Sequence, residues 1–183
     1  MEKIINLMFE ARSLKMIPRS GYSFLGNGSE SVAEHSFIIT FVSYLLAKLQ
    51  PDVDEKKLLL MSLLHDLPEA RIGDINYVQK DYLNINEKKA VERLSEGLPF
   101  GDEIMDLIDE FNACFTTESK LARDADQIAF LIDLKFLKDK GARKVARWID
   151  VVQKRLKTEI AKELVARMMD SDSDSWWLEN YID

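Results

Sequence analysis

Hydrophobic side chains recur along this chain at the three- and four-residue spacing that is typical of amphipathic helices. Residues 2–15 predict a first helix, in which the apolar positions are Ile4, Ile5, Met8, Ala11 and Leu14. Pro18 ends this pattern, because proline cannot continue a helix. Residues 19–30 hold three of the seven glycines and predict an ordered, turn-rich loop.

The same spacing predicts helices along most of the remaining chain. Residues 31–50 predict a second helix, which Ser31 caps with Glu34 as its capping-box partner. A third helix begins at Asp54 and is apolar enough to be buried on most sides. Further helices are predicted over residues 86–97, 101–113, 117–139, 143–155 and 157–169.

The carboxyl-terminal segment is acidic and carries a pair of tryptophans. Residues 171–183 therefore predict a short docking helix or an interface strip. No alternating pattern long enough for a strand, no internal repeat and no linker interrupts the helical pattern. We predict an all-α fold in which residues 1–183 form a single domain, a size at which one core can be buried well.

Composition and charge exclude several classes of protein. Hydrophobic residues make up 46% and charged residues 31%, as in an ordinary globular protein. The net charge of −7 argues against binding of nucleic acid duplexes, although a metal ion and a few arginines can still attract a small phosphorylated substrate. The single cysteine, Cys114, favours a reducing cytoplasm. We expect no signal peptide, apolar runs shorter than a membrane span, and therefore a cytoplasmic location.

The candidate chemistry centres on the two histidines. His35 lies early on the second helix, and His65 ends the third helix with Asp66 directly after it. A histidine at the end of an apolar helix is more often a hydrogen-bonded core residue, but a buried carboxylate beside it needs a partner or a metal. Downstream, Asp126 is flanked by small apolar residues and is expected to face inward, whereas Asp124 is expected to face solvent.

Two imidazoles and two carboxylates form a donor set for a divalent transition metal. Manganese, iron, cobalt, nickel and zinc all accept these ligands, and the lack of thiolates disfavours a closed structural zinc site. Adjacent helical residues point about 100° apart, so His65 and Asp66 reach one ion only near a helix end. Pro68 disfavours helical geometry at the residue before it and predicts such an end.

These residues lie within short motifs that resemble a known family. In chain order the motifs are PRSGY at 18–22, ESVAEH at 30–35, HDLPEA at 65–70, GDI at 73–75 and DAD at 124–126. Their order and spacing over roughly residues 1–140 are similar to those of the HD-domain superfamily of metal phosphohydrolases, in its 5′-deoxynucleotidase branch. One departure is Ser20-Gly21-Tyr22 after the arginine, where the family often has Thr-Gly-Trp.

The resemblance implies an all-α bundle and the removal of phosphate from deoxyribonucleoside 5′-monophosphates. It implies a homodimer and one divalent metal, with cobalt or manganese typical and zinc, nickel or iron as alternatives. The metal ligands would be His35, His65, Asp66 and Asp126.

Four further residues receive roles around that ion. Glu69 follows His65 by four residues and is a candidate to orient or deprotonate the attacking water, or else a solvated turn residue. Asp74 is a candidate proton donor to the departing 5′ oxygen, or else a capping or turn residue. Arg19 is the candidate phosphate clamp. Tyr22 either packs against the sugar or base or anchors the loop to the core.

Three functions are compatible with this pattern. The first is the 5′-nucleotidase. The second is hydrolysis of another phosphoester, such as a nucleoside triphosphate, a cyclic nucleotide or an alarmone. The absence of a third histidine favours a single metal ion in either case. The third is a non-catalytic helical protein with a structural metal or none, for which the arginine and the additional carboxylates would be unnecessary.

Overall fold

Helices account for the regular structure of residues 1–179 and 181, the part of the chain that this computed structural model describes. They are α1 (Glu2–Ser13), a 3-10 turn (Leu14–Met16), α2 (Tyr22–Leu25), α3 (Val32–Leu49), α4 (Glu55–Leu64), α5 (Glu69–Ile72), α6 (Tyr77–Lys80), α7 (Glu87–Ser95), α8 (Gly101–Ala113), α9 (Thr117–Asp139), α10 (Val145–Gln153), α11 (Glu159–Asp170) and α12 (Ser175–Leu178). Within these residues the extended pairing is limited to one bridge between Pro18 and Ser31. The predicted all-α fold is confirmed.

Local capping signals account for the predicted starts of α3 and α4. The Ser31 hydroxyl accepts from the backbone amide of Glu34, and the Glu34 carboxylate accepts from the amide of Ser31, which completes the predicted capping box. Asp54 caps α4 in a similar way through the amide of Lys57. Residues 19–30 are not entirely a loop, because they contain α2, whose C-cap Gly26 has the left-handed conformation.

The core is built around α9, the longest helix. It packs against α3, α4, α8, α10 and α11, and its fully buried side chains include Leu121, Leu131 and Leu134. A second apolar cluster joins the amino-terminal segment to α7 and α8. Leu64 at the end of α4 packs against both clusters, so the end of that helix lies where the two clusters meet.

Asp124 on α9 does not face solvent, and that expectation is wrong. Its carboxylate is fully buried and accepts hydrogen bonds from the Lys157 amide at 2.7 Å, the Thr158 amide at 2.8 Å and the Thr158 hydroxyl at 2.6 Å. Thr158 is the N-cap of α11. Asp124 therefore satisfies the free amides at the start of α11 and attaches that helix to α9.

Helix α3 lies within the predicted range of residues 31–50 but is more apolar than the sequence analysis expected. Its 18 residues have a mean hydropathy of 1.3, so by length and composition alone it could cross a membrane. The expectation that every apolar run falls short of a membrane span is therefore wrong for this helix. Core helices of globular proteins meet the same criterion, and α3 packs against α4 and α9 along its buried side.

The carboxyl-terminal segment is partly described. The predicted short helix is present as α12, and the amide of Ser173 before it donates to Asp139 at the end of α9. Asn180, Ile182 and Asp183 belong to the predicted interface strip but lie outside the described residues. The organisation of residues 1–183 as one domain stays a prediction.

Candidate active site

The end of α4 places the His-Asp dyad. The helix ends at Leu64 with His65 as its C-cap, and the chain continues through a tight turn in which the Glu69 amide donates to the Asp66 carbonyl at 3.0 Å. His65 Nε2 lies 3.1 Å from Asp66 Oδ1, so the two adjacent side chains do meet at the helix end. His65 Nδ1 lies 2.9 Å from the Ser62 carbonyl oxygen, which can only accept, so Nδ1 carries a proton.

A second histidine-carboxylate pair faces the dyad from α3 and α9. The side chain of His35 on α3 is fully buried, and its Nε2 lies 3.0 Å from Asp126 Oδ1 on α9. Asp126 thus faces inward as expected. The remaining oxygen of Asp126 accepts from the Gln127 side-chain amide at 2.8 Å.

Arg19 connects the two pairs. Its Nη1 lies 3.6 Å from Asp66 Oδ2 and 3.5 Å from Asp74 Oδ2, and its Nη2 lies 4.0 Å from Asp126 Oδ1. Asp74 also accepts from the Ser20 amide at 2.8 Å, which attaches the segment after Pro18 to the site. The structure thus brings together residues from the five motifs that the sequence analysis assigned to one site.

The donor atoms fit a divalent ion in their chemistry, although they are not arranged around one point. Among the described residues, no three His, Cys, Asp or Glu side chains are already grouped as metal ligands. The four candidates instead form two contacting pairs, with Arg19 between them. His65 Nε2 and Asp66 Oδ2 are nevertheless buried without hydrogen-bond partners, and an imidazole nitrogen beside a carboxylate oxygen is a typical pair of metal donors.

Mutual contacts set the charges of these groups. Burial alone would lower the pKa of His35, but its contacts with Asp126 and Glu30 raise that pKa to about 9. Burial would raise the pKa of Asp126, yet the hydrogen bond with His35 lowers it to about 2. Against the effect of burial, His65 and Arg19 hold the pKa of Asp66 well below its usual range. Both candidate carboxylate ligands are therefore charged at neutral pH.

Glu69 differs from its acidic neighbours. Burial, followed by the negative charges of Asp66 and Asp74, raises the pKa of Glu69 to about 9. Its Oε2 is buried and has no hydrogen-bond partner. A cation nearby would lower this pKa again, so Glu69 is a carboxyl group whose protonation depends on the charge placed beside it.

Tyr22 has the contacts of a loop anchor. It is buried, its hydroxyl donates to Asp133 on α9, and its ring packs edge-to-face on Phe130 with centroids 6.0 Å apart. Burial and the hydrogen bond with Asp133 raise the pKa of its hydroxyl. Tyr22 also lines the cavity, so a contact with substrate stays a prediction.

A cavity of about 1490 Å³ opens beside these residues. Arg19, Asp66, Glu69, Asp74 and Asp126 line one part of it. Aromatic and cationic side chains are prominent among the other lining residues, and they include Tyr77, Phe130, Trp148, Lys80, Arg147, Lys154, Arg155 and Lys157. The sequence analysis did not find this second wall, because no motif links α6 and α10 to the site.

Glu30 is another residue that the sequence analysis passed over. Its carboxylate lies 3.2 Å from His35 Nδ1 and 3.9 Å from Arg19 Nε. The only signal in the sequence was its position as the first residue of the ESVAEH motif.

The helical fold and the histidine-aspartate site are those expected of an HD-domain protein, and comparison with known proteins agrees with this class. The HD domain family model matches residues 11–168, and the chain belongs to that family. The predicted resemblance is therefore confirmed.

Named relatives lie in one branch of the family. The chain is 27% identical over 137 residues to the 5′-deoxynucleotidase HDDC2 of Xenopus laevis, covering 72% of this chain and 67% of that protein. It is 29% identical over 131 residues to the 5′-deoxynucleotidase HDDC2 of Dictyostelium discoideum, covering 65% and 69%. A conserved hypothetical protein from Pyrococcus furiosus has a similar structure, with a TM-score of 0.77, 30% identity and coverage of 91% and 99%.

Proposed function

We propose that this protein is a metal-dependent 5′-nucleotidase that converts deoxyribonucleoside 5′-monophosphates to nucleoside and phosphate. The observation that carries the proposal is the grouping of two histidines, two charged carboxylates and a half-buried arginine at one part of a large cavity. Two named relatives are 5′-deoxynucleotidases, which supports this substrate class.

The metal would be held by His35, His65, Asp66 and Asp126, with cobalt or manganese as first candidates and zinc, nickel or iron as alternatives. Such an ion supplies Lewis-acid polarisation of the phosphoryl group and lowers the pKa of water beside it. Since two aspartates would neutralise the ion, the attraction for phosphate has to come from elsewhere.

Arg19 would provide that attraction. Its guanidinium already lies among carboxylate oxygens at 3.5–4.0 Å, so phosphate oxygens would replace those contacts with similar chemistry. Its pKa is raised, against the effect of burial, by Asp66, Asp126 and Asp74, so it stays charged at every working pH.

Proton transfer would be divided between two acidic residues. Glu69 would accept the proton of the attacking water, for which it must be in its charged form. A divalent ion bound beside Glu69 would lower its pKa from about 9 and so favour that form. Asp74 would donate a proton to the departing 5′ oxygen, while its contacts with Ser20 and Arg19 also support a role in positioning the phosphate-binding segment.

The nucleoside would extend along the aromatic wall of the cavity. Phe130 and Trp148 pack edge-to-face with centroids 6.0 Å apart, and both line the cavity. Aromatic side chains of this kind bind nucleobases through stacking.

The proposal is tested by phosphate release from 5′-dAMP and 5′-AMP with metal-stripped protein to which Mn, Co, Zn or Mg is restored separately. We expect metal-dependent release that favours 5′-dAMP. Release from a nucleoside triphosphate or a cyclic nucleotide instead would support the second function. If every substrate is left intact by folded, metal-loaded protein, the enzymatic proposal is wrong.

Variants of single residues separate binding from turnover. Glu69→Gln should retain metal, measured by elemental analysis, and lose at least about 100-fold in kcat. His65→Ala should lose both metal and activity. Glu92→Gln, at an exposed position on α7, is the matched control and should behave as wild type.

We further propose that two copies of the chain pair through an exposed apolar stripe on α3. Phe37, Phe41, Tyr44 and Leu45 form this stripe, with exposed fractions of 68%, 53%, 43% and 40%. Their spacing places them on one helical face, and monomeric proteins seldom expose so much contiguous apolar surface.

Light scattering tests the pairing. We expect the mass of a dimer for the wild type and of a monomer for Phe41→Asp, while Phe115→Asp, at another exposed phenylalanine, should remain dimeric. A monomeric wild type at micromolar concentration would contradict the proposal. The cytoplasmic location expected from Cys114 stays a prediction.

A further inference from the structure

The buried carboxylate of Glu30 has no role in the chemistry described so far. Its side chain is only 8% exposed, and its Oε2 lies 3.2 Å from His35 Nδ1. Both atoms are buried, and neither has an aligned hydrogen-bond partner among the described residues. A buried carboxylate and a buried imidazole N–H both need partners, and Arg19 Nε is farther from Glu30, at 3.9 Å, so the contact with His35 is the shorter one available to Glu30.

We propose that Glu30 is a positioning residue that accepts the Nδ1 proton of His35 and thereby keeps the Nε2 of His35 directed at the metal. The inference rests on the proposed metal site and names a residue outside the proposed ligand set. The opposite ring nitrogen, Nε2, lies 3.0 Å from Asp126, so the two faces of the imidazole already have different partners.

The second histidine supports this assignment by comparison. His65 is held at Nδ1 by the carbonyl of Ser62, a neutral acceptor of its own helix. His35 has no such backbone acceptor, and its Nδ1 faces a carboxylate instead. A charged acceptor makes the opposite nitrogen a stronger electron donor and fixes the orientation of the ring.

The backbone around Glu30 holds its carboxylate in place. The Arg19 amide donates to the Glu30 carbonyl at 2.8 Å, and the Val32 amide donates to the Ile17 carbonyl at 2.9 Å. These bonds flank the bridge between Pro18 and Ser31. The Arg19 guanidinium lies 3.9 Å from the same carboxylate, so Glu30 adjoins both the phosphate clamp and a proposed ligand.

Zinc binding measures the role without any activity assay. Glu30→Gln keeps the shape and one acceptor oxygen but removes the charge, whereas Glu30→Ala removes the acceptor. We expect zinc affinity to fall about 10-fold in Glu30→Gln and about 100-fold in Glu30→Ala. Glu34→Gln is the matched control, because Glu34 precedes His35 on the same helix but is exposed, and its affinity should change less than about twofold.

Nitrogen-15 NMR of the imidazole supplies a second readout. In the zinc-loaded wild type, the His35 Nδ1 proton should be protected from solvent exchange, and in Glu30→Ala this resonance should broaden or disappear. Thermal denaturation of each variant verifies folding, and Glu30→Gln serves if Glu30→Ala does not fold.

Two outcomes overturn the inference in distinguishable ways. Zinc affinity equal to that of the wild type in Glu30→Gln and Glu30→Ala, with the Nδ1 proton still protected, shows that Glu30 does not position His35. If zinc leaves the His35 resonances of the wild type unchanged, the proposed metal site itself is wrong and the inference fails with it.

Discussion

Asp124→Ala is expected to destabilise the protein strongly although Asp124 lies outside the proposed site. The carboxylate is fully buried on α9 and accepts three hydrogen bonds of 2.6–2.8 Å from Lys157 and Thr158 at the start of α11. The substitution removes the acceptor and leaves two backbone amides without partners. It also removes a negative charge from the amino terminus of a helix.

The magnitude follows from these contacts. A hydrogen bond to a charged acceptor contributes about 1.5–3 kcal/mol to the free energy of unfolding. Lys157 is exposed and Thr158 is half-buried, so water replaces part of what the donors lose. We expect Asp124→Ala to lower the free energy of unfolding by about 3 kcal/mol, and Asp124→Asn, which keeps one acceptor oxygen, by about half as much.

Urea denaturation of metal-free protein measures this difference. The urea concentration at the midpoint of unfolding should decrease, while the slope of the free energy of unfolding against urea concentration stays constant. A constant slope indicates that the substitution changes stability and not the compactness of the unfolded state. Asp150→Ala, at an exposed aspartate on α10, is the control and should lie within about 0.5 kcal/mol of wild type. A loss below about 1 kcal/mol for Asp124→Ala would refute the reasoning, because the three bonds would then contribute no more than a surface contact.

Three other predictions concern the site. Arg19→Lys should retain metal but raise KM about 10-fold or more, because a lysine cannot form the bidentate contact; an unchanged KM would argue against the clamp. Since the pKa of His35 is raised to about 9 in the metal-free protein, a metal must displace a proton below that pH. Apparent zinc affinity should therefore fall about tenfold for each pH unit as the pH is lowered from about 9 to about 6.5, and calorimetry should detect proton release on zinc binding. A zinc affinity that does not change with pH would contradict this prediction. Arg147→Glu combined with Lys154→Glu should lower kcat/KM at low salt only, because exposed cations at the cavity attract the nucleotide through a field that salt screens. An equal loss of kcat/KM at about 0.5 M salt would exclude electrostatic steering.

The sequence by itself determined the helical class, most helix positions and the identity of the chemical groups. Periodic apolar residues and caps such as Ser31 and Asp54 act within one or two turns, so their consequences can be predicted without tertiary contacts. The motifs around His35 and His65 are similarly local, and for this reason they indicated the family correctly.

Only the tertiary structure decided which polar groups meet. Asp124 and Asp126 lie two residues apart on α9, but their side chains point toward different neighbouring helices. Asp124 therefore binds the start of α11, whereas Asp126 contacts His35 on α3. The raised pKa of Glu69 likewise requires its burial beside Asp66 and Asp74. Long-range packing brings these charges together, and electrostatic interactions over a few ångströms depend on that packing rather than on distance along the chain.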